Sequence, residues 1–344
     1  MRTSRALVAT PETAPAFWQI GNLWRVMATG VQTDNAFCLL DQLVMADGGG
    51  PCTHTHTQDE GLYVVSGHCT FNAGGETIAA GAGSFVAVPR RTEHSFTVDA
   101  SDTQLLNFYL PAGFELILMG LAAPAARNEL PPPGAVPLPP RRLVEQLSRD
   151  YGQAPVLGLP FADPPGPDNM ATTPTPGARA RPLVASAATA PAYWTMGGLW
   201  TVLMDGRDSD GSYSVIEQLM PPGPQASPHR HEWTDEVFYI LGGEAEFLLE
   251  DRVERAGKGA LVFIPRGTVH AFRVVGDRPC RAMNLYTPAG FERSVEALAP
   301  LAGSRTLPPP NWTPPEVAPE HRAALFTDFG MRTMKVSTPW DASA

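Results

Sequence analysis

The feature that most constrains this fold is an internal repeat, because residues from about 14 onward align with residues from about 190 onward. The matching segments are APAFWQIGNLWRV with APAYWTMGGLWTV, EGLYVVSGHCTF with EVFYILGGEAEF, and NFYLPAGFE with NLYTPAGFE. In 344 residues, each copy is long enough to bury a core of its own. The repeat therefore predicts two domains of the same fold.

The repeated segments have the pattern of β-strands. They are short, alternate apolar and polar positions, favour Val, Phe, Tyr and Ile, and are separated by Gly, Pro, Asp and Asn. The 36 prolines and 32 glycines also favour turns over long helices. A strand-rich module of about 110 residues must protect its sheet edges. We therefore predict an all-β protein with two jelly-roll barrels of about eight strands each.

A short helix is predicted to follow each barrel. Leu143, Val144 and Leu147 recur at helical spacing, and Tyr151-Gly152 matches Phe329-Gly330 as the end of a helix at a glycine. The predicted boundaries are a barrel at 1–125, a Pro-rich linker at 126–182 with a helix near 141–152, a barrel at 183–300, and a trailing segment at 301–344 with a helix near 319–330.

The charge and cysteine content restrict the partners and the location. A formal net charge of −10 argues against nucleic acid or an anionic membrane surface as the partner. No apolar run is long enough to cross a bilayer. The four cysteines lack the spacing of zinc or redox pairs, which favours reduced thiols. We expect a cytoplasmic protein that acts on a small molecule, with a homodimer as the assembly to test.

Six of the eight histidines fall at matching positions in the two copies. They are His54, His56 and His94 in the first copy, and His229, His231 and His270 in the second. Residues two apart in a strand point to the same face, so each His-x-His pair can direct two imidazoles to one point. The third histidine, about 38 residues later, would come from another strand. His68 and His321 have no counterpart and are expected at the surface.

The matching carboxylate in each copy is identified by spacing. Glu60 lies 34 residues before His94, and Glu236 lies 34 residues before His270, so Glu236 and not Asp235 is the equivalent residue. Three imidazoles and one carboxylate suit Fe, Mn, Co, Ni, Cu or Zn without selecting one. We expect one divalent transition metal per domain. The alternative, that these histidines only hydrogen-bond in the core, leaves the matched spacing unexplained.

These residues resemble the signatures of the cupin superfamily, G(x)5HxH(x)3–4E(x)6G and G(x)5PxG(x)2H. The first copy supplies Gly48, His54, His56, Glu60, Gly67, Gly83, Pro89 and His94, and the second supplies Gly223, His229, His231, Glu236, Gly243, Gly259, Pro265, Gly267 and His270. The departures are Arg91 in place of glycine, and Val98 and Val274 in place of a less constant asparagine. None of these departures removes a metal ligand.

The chain also looks like the bacterial quercetin 2,3-dioxygenase group of bicupins. The resemblance lies in the Gly-x-Leu-Trp segment that opens each copy, the Pro-Ala-Gly-Phe-Glu that ends each barrel, and the trailing helices. It implies two double-stranded β-helix barrels and cleavage of a flavonol ring by O2 with release of CO. Glu60 or Glu236 would then be the general base, which requires a pKa raised toward working pH.

Aromatic residues on the motif strands are available to hold a flat substrate, although packing in the barrel core is their commoner role. They are Phe85, Phe96, Phe108, Phe238, Phe263 and Phe272. The recurring Trp18, Trp24, Trp194 and Trp200 are assigned to packing.

Two other functions are compatible with the sequence. One is a different metal-dependent cupin reaction on another phenolic, diketone or carboxylate. An oxalate-type reaction would need a cation near the metal, and Arg91 is the motif residue that can supply it, although its turn position favours exposure. The other is a bicupin that binds small molecules without catalysis, which gives no reason to keep two complete ligand sets.

Overall fold

A computed structural model describes residues 4–99, 102–155 and 181–340. Residues 156–180 of the predicted linker lie outside the described residues. The elements up to the end of the first repeat are β1 (Leu7–Ala9), β2 (Ala16–Gln19), β3 (Asn22–Ala28), β4 (Cys38–Val44), β5 (His54–His56), β6 (Asp59–Ser66), β7 (His68–Ala73), β8 (Glu76–Gly81), β9 (Ser84–Val88), β10 (His94–Val98), β11 (Thr103–Leu110), α1 (Phe114–Leu121), β12 (Ala123–Pro124), α2 (Arg141–Asp150) and β13 (Gln153–Pro155).

The remaining elements are β14 (Leu183–Ser186), β15 (Ala192–Thr195), β16 (Gly198–Met204), β17 (Ser214–Met220), β18 (Gly223–His231), β19 (Asp235–Gly242), β20 (Glu244–Leu249), β21 (Arg252–Gly257), β22 (Leu261–Ile264), β23 (His270–Val274), β24 (Cys280–Thr287), α3 (Glu292–Leu298), α4 (Pro319–Asp328) and β25 (Met331–Thr333).

The described chain forms two compact units. The N-terminal unit comprises residues within Pro11–Ser186, and the C-terminal unit comprises Ser4–Thr10 and residues from Ala187 onward. The edge strands explain this division, because β1 pairs with β22 and β14 pairs with β9. Leu183, placed at the start of the second predicted domain, thus belongs to the N-terminal unit, where backbone pairing along β14 holds it.

Each unit consists of two antiparallel sheets. In the N-terminal unit the strand orders are β12-β2-β3-β4-β11-β6-β9-β14 and β13-β5-β10-β7-β8. In the C-terminal unit they are β1-β22-β19-β24-β17-β16-β15 and β21-β20-β23-β18-β25. The apolar faces of the two sheets meet in one core, as Phe238 and Val262 pack with Phe247 and Phe272. The predicted all-β jelly-roll fold is confirmed.

The trailing helices connect directly to the histidine strands. The predicted helices near 141–152 and 319–330 are α2 (Arg141–Asp150) and α4 (Pro319–Asp328). Each is followed by a short strand that pairs with the His-x-His strand, through Gln153 opposite His56 and Met331 opposite His231. The helix therefore belongs to the repeated unit because its strand completes the sheet that carries the histidines.

Two further helices, α1 and α3, were not predicted. Both begin at the Pro-Ala-Gly-Phe-Glu segments, where the Gly113 and Gly290 backbones have φ of 137° and 141°. The buried Glu115 carboxylate accepts hydrogen bonds from the Gly113 and Gly30 amides at 2.7 and 2.8 Å. The repeated glutamate thus holds the start of the helix against a loop, a role that its sequence position did not reveal.

The cysteines are reduced, as their spacing predicted. All four are free thiols, and Cys38, Cys69 and Cys280 are buried. No helix among the described residues has the length and apolar character needed to span a bilayer.

Candidate metal centres

Strand pairing brings the predicted ligands of each copy together. In the N-terminal unit, His54 on β5 lies opposite His94 on β10, and in the C-terminal unit His229 on β18 lies opposite His270 on β23. The eight predicted ligands are all at most 9% exposed. In a His-x-His strand both side chains share one face, so the second histidine joins the same cluster.

The two clusters differ in one respect. The candidate ligand atoms of His229, His231, Glu236 and His270 all lie within 4.8 Å of one another, whereas the corresponding N-terminal set contains the three histidines alone. Glu60 still approaches two of them, since its Oε2 lies 3.1 Å from His56 Nε2 and 2.9 Å from His94 Nε2. The C-terminal cluster is therefore the more convergent four-ligand set.

Backbone carbonyls orient five of the six imidazoles. Each Nδ1–H donates to a carbonyl two residues away at 2.8–3.0 Å, in His54, His56, His94, His229 and His270. This hydrogen bond places the proton on Nδ1 and leaves the Nε2 lone pair available to a metal. His231 lacks this bond.

The residues present fit a metal ion. Among the described residues, His270 Nε2 and Glu236 Oε2 are buried without a hydrogen-bond partner, yet they lie only 3.0 Å apart. Two ligands about 2.1 Å from one ion and at right angles are separated by about 3 Å. The spacing of Glu236 Oε2 from His231 Nε2, 3.4 Å, is also compatible with a shared ion. Imidazole and carboxylate donors do not identify the metal.

The electrostatics keep the carboxylates ionised and two histidines neutral. Burial favours the neutral form of Glu236, but the close approach of the His231 and His270 imidazoles, at 3.4 and 3.0 Å, outweighs it and lowers the pKa of Glu236 well below the ordinary value. Glu60 behaves in the same way. Burial and the neighbouring histidines lower the pKa of His229 to about 3 and that of His54 well below its ordinary value. The expected raised pKa of the glutamates was wrong, because surrounding imidazoles stabilise the carboxylate.

Two residues of each centre were missed in the sequence. Tyr286 donates a hydrogen bond to Glu236 Oε1 at 2.8 Å, and Asn284 Nδ2 donates to the same oxygen at 3.2 Å. In the first copy Asn107 Nδ2 donates to Glu60 Oε1 at 3.4 Å, and the buried Tyr109 lies opposite Glu60 in the pairing of β11 with β6. The repeated Asn-x-Tyr, two residues on one strand face, was the signal that could have identified them.

The C-terminal cluster opens into a cavity of about 610 Å³. His229, His231 and Glu236 form part of its wall. Much of the remainder is aromatic, with Trp194, Trp200, Phe238, Phe272, Phe291 and Trp312 among the lining residues. Trp194 and Trp200, assigned to packing, therefore have a face on the cavity. Of the phenylalanines considered as substrate contacts, Phe238 and Phe272 line it, whereas Phe263 is fully buried and not part of its wall.

The remaining candidates lie away from these centres. His68 and His321 are exposed. Arg91 is exposed in the turn after β9, where its backbone N–H donates to the His56 carbonyl. The motif thus brings no arginine side chain into the N-terminal centre.

The matches to known proteins follow the same two-part pattern. The family model described as Cupin domain matches residues 42–109 and 216–286. These ranges contain all eight predicted ligands. The chain contains two cupin domains. We refer to it below as a bicupin.

Quercetin 2,3-dioxygenase of Bacillus subtilis (strain 168) is a distant relative of this bicupin. It is 23% identical over 253 residues, which cover 72% of this chain and 73% of that protein. A mutant of Bacillus subtilis oxalate decarboxylase OxdC has a similar fold, with a TM-score of 0.57, 14% identity, and coverage of 84% of this chain and 79% of that chain. Protein Ylba from E. coli gives a TM-score of 0.54 at 14% identity, covering 83% and 92%. The structural matches support the shared fold alone.

Asp235, the residue before Glu236, forms an ion pair instead of joining the metal cluster, so its substitution should affect stability. It is fully buried, accepts a hydrogen bond from the Arg266 backbone N–H at 2.8 Å, and pairs with the Arg266 guanidinium at 3.0 Å. We expect Asp235→Ala to lower the free energy of unfolding by about 2 to 3 kcal/mol, because the partly buried Arg266 guanidinium loses its fully buried partner.

Urea unfolding of the metal-free protein measures this loss. The matched control is Asp277→Ala, which removes an exposed carboxylate of the same domain and should change the free energy of unfolding by less than about 0.5 kcal/mol. Metal content should be unchanged in both variants. Loss of metal from Asp235→Ala at unchanged stability would contradict the role assigned to Asp235.

Proposed function

We propose that this bicupin is a metal-dependent dioxygenase that cleaves a flavonol-type ring with O2 and releases CO, leaving a depside. The observation that carries the proposal is the aromatic-lined cavity of about 610 Å³ at the His229, His231, Glu236 and His270 cluster. A cavity of this size suits a small-molecule ligand. The distant similarity to quercetin 2,3-dioxygenase supports the same substrate class.

The metal ligands would be the three histidines and one glutamate of each domain. When bound, a divalent transition metal supplies a Lewis acid that favours the ionised form of a substrate hydroxyl. Glu60 and Glu236 are the proposed general bases, because their lowered pKa keeps them ionised and the metal would lower the pKa of the substrate hydroxyl toward theirs. In the C-terminal domain Tyr286 and Asn284 hold Glu236 Oε1. Glu236 Oε2, directed at the histidines, would hold the metal and, once displaced from it by the substrate hydroxyl, would receive the hydroxyl proton.

The cavity wall would position the substrate. Trp200, Phe272 and Phe291 offer aromatic surface for stacking against a flat ring system. Phe291 packs edge-on against His231, with ring centroids 5.2 Å apart, so substrate that lies on this ring is held beside the metal ligands. An apolar wall also limits water around the reacting atoms.

An oxalate-type reaction is less well supported. Arg91, the motif residue that could bind a second carboxylate, is exposed. The cavity of about 610 Å³ is also much larger than a two-carbon dicarboxylate requires.

The test is oxygen consumption with quercetin by protein purified without oxygen and reconstituted in turn with Fe, Mn, Co, Ni or Cu. We expect one CO to form for each O2 consumed with at least one metal. Oxygen uptake without CO would replace this proposal with another phenolic oxidation, and CO2 release from a carboxylic acid would replace it with decarboxylation. No reaction with any flavonol or diketone would favour a binding function.

A further inference from the structure

The wall of the C-terminal cavity contains a buried amide without a partner. Gln218 on β17 is fully buried, and neither its Oε1 nor its Nε2 has a hydrogen-bond partner among the described residues. An unpaired buried amide is unfavourable, and a ligand with a hydroxyl or carbonyl group would satisfy it. The cavity therefore offers a polar contact beside its aromatic lining residues.

The same cavity has one arginine, Arg322 on α4. Within the described part of the chain, the Arg322 side chain has no hydrogen bond, ion pair or ring contact. Of the described residues that line the cavity, only Glu236 carries a carboxylate, and it is assigned to the metal. On the α4 side the cavity is therefore lined by one cation, the guanidinium of the solvent-exposed Arg322.

The equivalent helix of the N-terminal domain shows that this arginine is not required for packing. Alignment of Tyr151-Gly152 with Phe329-Gly330 pairs Arg322 with Val144 and Phe326 with Ser148. Val144 and Ser148 are 4% and 2% exposed, so α2 is seated closely on its domain. No residue of α4 is buried, and Arg322 and Phe326 instead line the cavity. The helix α4 thus packs less closely than α2, and it carries larger side chains at these two positions.

We propose that the C-terminal cavity selects an aromatic ligand that carries an anionic substituent such as a carboxylate. Arg322 pairs with the anionic group at the side formed by α4, and Gln218 hydrogen-bonds with a hydroxyl or carbonyl group within the cavity. The aromatic walls bind the ring system between them. The aromatic part of the ligand rests on the proposed function, whereas the anionic part rests on Arg322.

Ligand binding tests this selectivity without turnover. The probes are 3-hydroxyflavone and its 4′-carboxylate, added to Zn(II)-loaded protein without oxygen, since zinc has no redox chemistry. Quenching of tryptophan fluorescence reports binding because Trp194, Trp200 and Trp312 line the cavity. We expect wild-type protein to bind the carboxylate about tenfold more tightly, as one charge-assisted hydrogen-bond pair provides.

Variants separate charge from packing. Arg322→Gln should reduce the tenfold preference for the carboxylate probe to less than about twofold, with little change in the affinity for the neutral probe. Arg322→Lys should keep part of the preference. Arg278→Gln, which removes an exposed arginine elsewhere in the same domain, should keep all of it. Gln218→Leu should lower the affinity for both probes equally, by about tenfold.

The outcomes distinguish this inference from the proposed reaction. Equal affinities in wild type, a preference that survives Arg322→Gln, or no binding of either probe would overturn the inference. A preference that depends on Arg322, in a protein that releases no CO from quercetin, would support the inference and remove the proposed reaction. CO release from quercetin without a preference for the carboxylate probe would support the proposed reaction and remove the inference.

Discussion

The Glu236→Gln variant is expected to lose flavonol turnover by about 10²- to 10⁴-fold, the usual contribution of a general base. The amide cannot accept the proton that the carboxylate Oε2 would receive. The three buried histidine ligands of the cluster remain, so the variant should keep most of its metal. They are His229, His231 and His270. Steady-state CO release and metal analysis on the same preparation measure both quantities.

The matched control is Glu60→Gln, the same change in the N-terminal domain. There α2 is seated by the buried Val144 and Ser148, whereas α4 leaves the C-terminal cavity open. We therefore expect Glu60→Gln to keep at least about half of the turnover, and the double variant to lose all of it. A large loss in Glu60→Gln with none in Glu236→Gln would assign the reaction to the N-terminal centre instead.

Metal content is expected to approach two equivalents per chain and to fall by one whole equivalent when either cluster is disrupted. His231→Ala combined with His270→Ala removes two of four convergent ligands, and the remaining two cannot hold an ion against a competing chelator. Turnover should be lost with this equivalent. His56→Ala combined with His94→Ala should also remove one equivalent but leave turnover in place.

Exposed histidines provide the control for this experiment. His68→Ala and His321→Ala remove imidazoles from the surface of each domain and should leave two equivalents bound. Metal analysis after dialysis against a weak chelator gives the stoichiometry, and far-ultraviolet circular dichroism verifies the β-fold of each variant. One equivalent in the wild type, lost only with the N-terminal pair, would show that the C-terminal cluster does not hold metal.

The fold was predictable because its signal is local and occurs twice. Alternation of apolar and polar residues indicated strands, and the repeat required the same solution in each half. The helices α2 and α4 were predicted from periodicity, and their ends lie within two residues of those expected. In contrast, α1 and α3 depend on a glutamate that binds the amide of a distant glycine, and such a contact leaves no periodic signal.

Of the site, the sequence predicted the candidate ligands but not the groups around them. His-x-His and the matched glutamate spacing are determined by strand geometry, so the sequence indicated both clusters without knowledge of the sheet order. The pKa direction of Glu236 was not predictable, because it depends on the balance between burial and the imidazoles that surround it. Asn284 and Tyr286 lie on β24, next to β19, and only strand pairing brings them to the glutamate.

By itself, then, the sequence determined two β-domains, the eight candidate ligands and the helix that follows each barrel, because each depends on spacing along one strand or helix. Tertiary structure decided the difference between the domains. The identity of Arg322 and Phe326 was visible in the chain, but their effect depends on how closely α4 packs against the barrel. Packing is a property of two surfaces that are far apart in the chain, and it produced the cavity that gives the C-terminal centre its proposed substrate.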